Sequence, residues 1–146
     1  MYNIRVGFTH PNVDPADITA ALGLEPYMNW KAGASRWAPN GKRLPGVSPV
    51  SRWNHVLRFE KTNGLNAEVE ALIGKLEKAT AFTKTLVASG GRGFVCISFP
   101  GELYQGHSIP AALLARLSAM DLELGIEVFP DWDTGKELDE ECEDAA

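Results

Sequence analysis

Two stretches of this chain alternate strictly between apolar and polar side chains, and they constrain its fold more than any other feature. In the first, Tyr2, Ile4, Val6 and Phe8 fall on one side, with Asn3, Arg5, Gly7 and Thr9 on the other. In the second, Trp53, His55, Leu57 and Phe59 oppose Asn54, Val56, Arg58 and Glu60. Successive side chains leave a pleated backbone in opposite directions, so period two with one apolar side marks a half-buried strand. Each such strand needs a second layer against which to bury that side.

Helical patterns supply the layer. Asp14 can accept the free amides of a first turn, and Pro15 suits the first helical position. Ile18, Ala21 and Leu22 then form an apolar stripe, which Gly23 ends as a left-handed cap. Asn66 is placed to cap a second helix. There Val69, Leu72, Ile73, Leu76, Phe82, Leu86 and Val87 recur at three- and four-residue steps, with Lys75, Lys78 and Lys84 between them. Gly90-Gly91 stops that helix. Gly93 to Phe99 is nearly all apolar and reads as a central strand. Pro110 opens a third helix carrying Leu113, Leu114, Leu117 and Met120, and residues 122–128 alternate as a last strand.

With a short strand at 35–38, the order is strand, helix, short strand, strand, helix, strand, helix, strand. The first six elements match a ferredoxin-like βαββαβ core, and the rest is an added αβ unit. The expected fold is α+β: a two-layer sandwich on a mainly antiparallel sheet, with residues 1–130 as one globular domain. The chain has 146 residues, 45% of them hydrophobic and 23% charged, which suits a soluble globular core. No apolar run approaches the roughly 18 residues of a membrane helix, so no membrane is expected.

Residues 25–52 escape this regularity. Pro26, Pro39, Pro45, Pro49, Gly33, Gly41 and Gly46 break helix and strand alike, leaving a long excursion of the kind that carries function. Charge concentrates around it. Residues 31–61 hold Lys31, Arg36, Lys42, Arg43, Arg52, Arg58 and Lys61 against Glu60 alone, a balance of +6. Residues 131–146 hold eight acids and one base, Lys136, a balance of −7. Such a tail repels itself and is expected to stay disordered. The plainer account of both runs is solubility, with the tail loosely screening the basic segment.

Cys96 and Cys142 lie in an apolar run and in the acidic tail, a poor pair for a disulfide, and the N-terminal residues lack a signal-peptide pattern. A cytoplasmic protein is expected. His10, His55 and His107 are too scattered for a metal motif, and no cofactor is expected. Ser89-Gly90-Gly91-Arg92-Gly93 leaves a helix and enters a strand, the reverse of a phosphate loop.

One run of residues has a family likeness. Asp14-Pro15-Ala16-Asp17-Ile18-Thr19-Ala20-Ala21-Leu22-Gly23-Leu24-Glu25-Pro26, then Lys31-Ala32-Gly33, then Trp53 opening a strand, resembles the bacterial domain of unknown function family 4279 over residues 2–129. The resemblance implies a small soluble bacterial protein and brings no catalytic residues. Caps and turns explain the run equally well on structural grounds.

The leading functional candidate is the basic-aromatic set Trp30, Lys31, Arg36, Trp37, Arg52, Trp53 and His55. Indole faces and guanidinium groups together suit an anionic partner. Trp53 and His55 share a side with Leu57 and Phe59, which favours a core role for both. The expectation is a non-enzymatic module binding an unknown protein partner, with an immunity or inhibitor role as one version. The alternative is a binding domain or enzyme for a phosphorylated compound or nucleotide, using Arg92, Tyr104 and His107. Nucleic acid is disfavoured by a pI of 5.2 and the acidic tail.

Overall fold

The computed structural model describes residues 2–59, 64–101 and 106–130. Both alternating stretches are strands: β1 (Tyr2–His10) and the later strand Ser51–Phe59. Between them stand α1 (Pro15–Leu22), β2 (Met28–Trp30), β3 (Ser35–Trp37) and β4 (Arg43–Val47), which makes Ser51–Phe59 β5. After β5 come α2 (Leu65–Leu76), a single 3₁₀ turn (Glu77–Ala79), α3 (Thr80–Ala88), β6 (Arg92–Gly101), α4 (Ala111–Ala119) and β7 (Leu122–Pro130).

The fold is α+β, with a mixed five-stranded sheet in the order β2-β5-β1-β6-β7. The β2–β5, β5–β1 and β1–β6 pairs are antiparallel, and β6–β7 is parallel. Sheet register carries the alternation across the strands: Phe8 faces both Trp53 and Gly93, and Ile4 faces both Leu57 and Ile97. One side of the sheet therefore shows Ile4, Val6, Phe8, Trp53, Val95 and Ile97, each 1% exposed or less. These residues share a single core with Ile18 and Leu22 of α1, Leu72, Ile73 and Leu76 of α2, Leu86 of α3, and Leu113 and Leu117 of α4. Burying an aliphatic or aromatic side chain contributes roughly 1.5–3 kcal/mol, so this core is the main source of stability.

Local signals account for the helix ends. Asp14 Oδ1 accepts from the Ala16 amide at 3.0 Å, and Gly23 caps α1 at φ 64°. Asn66 behaves otherwise than its sequence suggests. Gly64 takes the N-cap position of α2, and the Asn66 side-chain amide donates to Ser108 O at 2.9 Å, tying α2 to the chain before α4. The single long helix expected here is divided by the 3₁₀ turn, where the Thr80 hydroxyl donates to Glu77 O. Helix α4 buries Leu113, Leu117 and Met120 and leaves Leu114 40% exposed. A helix of this length aligns only i, i+4 and i+7 with one contact line, and Leu114 falls beside it.

His10 is a structural knot. Its Nδ1 accepts from the Asn12 and Val13 amides at 3.1 and 2.9 Å, and Nε2 bonds the Ser89 hydroxyl at 2.8 Å, joining β1 to the end of α3. The residues after Ser89 stop the helix, since Gly90 N and Gly91 N donate to Val87 O and Leu86 O. Among the described residues no helix is long and apolar enough to cross a membrane. The acidic run 131–146, Tyr104 and Lys61 lie outside the described residues.

Candidate functional site

The proline-rich excursion is more ordered than its composition suggests. Lys31 to Ala34 makes a tight turn, closed by the Ala34 amide on Lys31 O at 3.1 Å, with Gly33 at φ 85° in its third position. Strands β3 and β4 then form a separate two-stranded ribbon. Its tip turns through Pro39-Asn40-Gly41, where the Gly41 amide donates to Ala38 O and Asn40 Oδ1 accepts from the Lys42 amide. Its root is pinned to the main sheet. Gly33 N donates to Ser48 O, Ser48 N to Ala34 O, and the buried Ser51 hydroxyl accepts from Ala32 N while donating to Val13 O at 2.6 Å.

This anchoring opens a groove between ribbon and sheet edge. It measures about 340 Å³ and is lined by Asn29, Trp30, Ser35, Arg36, Trp37, Leu44 and Ser48. Trp30, Arg36 and Trp37 are thus brought together. Arg52 joins them from β5, its guanidinium 6.0 Å from the Trp30 ring, because Trp30 and Arg52 are paired across β2 and β5. Lys31 is exposed at the turn beside Trp30. Trp37 is 63% exposed.

Two members of the basic-aromatic set lie elsewhere. Trp53 is fully buried, and its indole N–H donates to the Thr19 hydroxyl at 2.9 Å. His55 stacks near Trp53 and bonds Glu25 O through Nδ1 at 2.7 Å. Both face the core because the β5 alternation carries them there, as the company of Leu57 and Phe59 indicates.

Among the described residues, the cations around the groove take part in no ion pair. Among the described residues, the ion pairs are Arg5–Glu127, Lys84–Asp121, Arg92–Glu123 and Arg116 with Glu70 and Glu77. None involves Lys31, Arg36, Lys42, Arg43, Arg52 or Arg58. Arg36 instead donates to Pro45 O at 3.3 Å, and Arg58 lies 5.2 Å from the Tyr27 ring.

A second cleft, of about 270 Å³, lies between β6 and β7 on the side of the sheet away from the core, and its charges are already matched. Glu127 accepts from Arg5 at 2.8 Å and from the Ser98 hydroxyl at 3.0 Å, and Arg92 meets Glu123 at 2.5 Å. Cys96 forms part of its floor. Burial pushes its thiol up from the ordinary value, with the nearby Glu127 carboxylate adding to the effect. Beside it the Phe94 ring fills the space above Gly7.

Of the alternative site, Arg92 and His107 are not brought together. Arg92 opens β6, whereas His107 stacks on Phe99, ring centroids 4.6 Å apart, near the other end of that strand. Seven strand residues separate those ends by roughly 23 Å. Arg92 and Phe99 also point to opposite sides of the sheet. Tyr104 lies outside the described residues.

Sequence reasoning overlooked Asn29, Ser35, Leu44 and Ser48. Each is an ordinary residue that lines the groove only because the ribbon folds back. The family model for Domain of unknown function (DUF4279) matches residues 3–129. The chain belongs to the DUF4279 family. Neither curated proteins nor solved structures gave a match. In this DUF4279 domain the groove-lining residues all fall inside the matched region, whereas the acidic run after Pro130 falls outside it.

Proposed function

We propose that this domain is a non-enzymatic binding module that holds an anionic protein partner in the groove between the β3–β4 ribbon and the sheet edge. Trp30 and Trp37 offer apolar faces, Arg36 and Arg52 supply directed donors, and Lys31 adds charge. The observation that carries the reading is the pairing pattern: among the described residues Arg5, Lys84, Arg92 and Arg116 meet carboxylates, and the cations around the groove take part in none of these ion pairs. Unmatched cations beside an exposed indole attract and orient carboxylates, with aromatic and Arg side chains as the usual anchors of protein recognition.

The scaffold reads as a ferredoxin-like two-layer sandwich. The order β6-β1-β5-β2 with antiparallel neighbours supports this, as does the single core shared by sheet and helices, and β7 is then the added strand. Residues 1–130 form the domain in this reading. An immunity or inhibitor role in a bacterial cytoplasm is its concrete version, supported by the small domain size and by the cation-rimmed groove. The pI of 5.2 argues against nucleic acid as the partner.

The test is a titration of the full chain with a Glu/Asp-rich peptide, followed by tryptophan fluorescence. Binding should weaken steeply between about 0.05 M and about 0.5 M salt, as screening shortens the reach of surface charge. The double variant Arg36→Ala/Trp37→Ala should lose binding at an unchanged melting temperature. Equal binding by that variant would refute the assignment.

A further inference from the structure

We infer that residues Asp139–Asp144 of this same chain dock in the groove and compete there with the partner. This rests on the groove being the anion-recognising surface proposed above. Charge complementarity is the first argument. Asp139, Glu140, Glu141, Glu143 and Asp144 are five acids in six positions, opposite in sign to a groove whose surrounding cations take part in none of the ion pairs among the described residues.

Reach is the second argument, and it is selective. Trp30 is level with Arg52, Thr9 and Arg92 in the sheet, at one end of the strands. Pro130 is level with Gly101, beyond the row where Ser98 meets Asn3, at the other end and on the opposite edge. At about 3.3 Å per residue and about 4.8 Å per strand, the two points are roughly 35 Å apart. An extended chain spans at most about 3.6 Å per residue. Asp131, Asp133 and Glu137 therefore fall short of the groove, as does the single base Lys136. The Asp139–Asp144 run begins at about the required span and passes it. The acids that reach the groove are the ones the tail concentrates together.

Tethering makes the contact effective. A short linker holds its segment at an effective concentration on the order of millimolar, so weak charge contacts suffice to occupy the groove. An external acidic partner must displace the segment, and removing its charge should tighten that partner roughly three- to tenfold.

The experiment places a nitroxide on Cys142, since Cys96 is 3% exposed with its thiol pushed up and reacts slowly. The indole N–H signals of Trp30, Trp37 and Trp53 are then followed by NMR. At about 0.05 M salt the label should broaden the Trp37 and Trp30 indoles. The broadening should vanish at about 0.5 M salt, and in the variant Arg36→Glu/Arg43→Glu. It should persist in Asp131→Asn/Asp133→Asn and on dilution. A Trp37 signal unaffected at low salt would overturn the inference, as would broadening that persists at about 0.5 M salt or in the Arg36→Glu/Arg43→Glu variant. The Glu/Asp-rich peptide separates the two claims. If it binds the groove while Trp37 stays sharp in the labelled chain, the partner reading stands and self-docking falls. If Trp37 broadens but the peptide fails to bind even after neutralising residues 139–144, self-docking stands and the partner reading falls.

Discussion

Trp53 and Trp37 come from one basic-aromatic stretch, yet the fold sends them to opposite fates. Trp53 sits in phase with Leu57 and Phe59 on a strand that has neighbours on both edges, and it ends at 0% exposure with its N–H bonded to Thr19. Trp37 ends a three-residue strand of a two-stranded ribbon and stays 63% exposed. The residue type is the same, and so is the local charge. What differs is whether a second layer lies across the side on which the residue falls. An indole with a layer above it becomes core. An indole without one is left for something outside the domain.

That contrast can be broken at three points. The largest effect belongs to Trp53→Ala, which removes the bulkiest fully buried side chain among the described residues and a hydrogen bond, and should cost about 3–5 kcal/mol of unfolding free energy in urea titration. A loss under 1 kcal/mol would mean that β5 is not packed as described. Next comes Gly7→Val, on the side of β1 away from the core. An added side chain there collides with the Phe94 ring and Asn54 Oδ1, and should cost about 1–3 kcal/mol by the same assay. A neutral result would show Phe94 swinging freely. The smallest stability effect is expected for Trp37→Ala, within about 0.5 kcal/mol. Its consequence should appear in peptide binding, weakened roughly tenfold or more, since central aromatic contacts dominate interfaces. A large fall in melting temperature would instead make Trp37 a structural residue.

The strands and helices of the core were legible because their physics is local. The alternation from Tyr2 and from Trp53, the Asp14-Pro15 start and the Gly23 stop each act within a few residues, and each stands where the pattern put it. The excursion was legible only in part. Strand β2 is three residues long and exists through its pairing with Asn54, Trp53 and Arg52, which no pattern within Met28–Trp30 encodes. Strand β4 contains Pro45 and Gly46, residues that speak against a strand until a ribbon partner is present. The basic-aromatic set was readable as a composition. Its division into Trp30, Arg36, Trp37 and Arg52 at the groove, Trp53 in the core and His55 half-buried on the core side of β5 followed from strand phase. The phase of β5 was visible, and the phases of β2 and β3 were not. Arg92 and His107, both polar and both near glycines, gave no sign of lying at opposite ends of β6.

The most direct measurement of the central claim is a backbone amide map of the full chain, recorded by NMR at low salt as the Glu/Asp-rich peptide is added. The account predicts shifts centred on Asn29–Trp37, Arg43–Ser48 and Arg52, with the β6–β7 cleft unmoved. Shifts gathered instead around Arg5, Arg92 and Glu123 would contradict it.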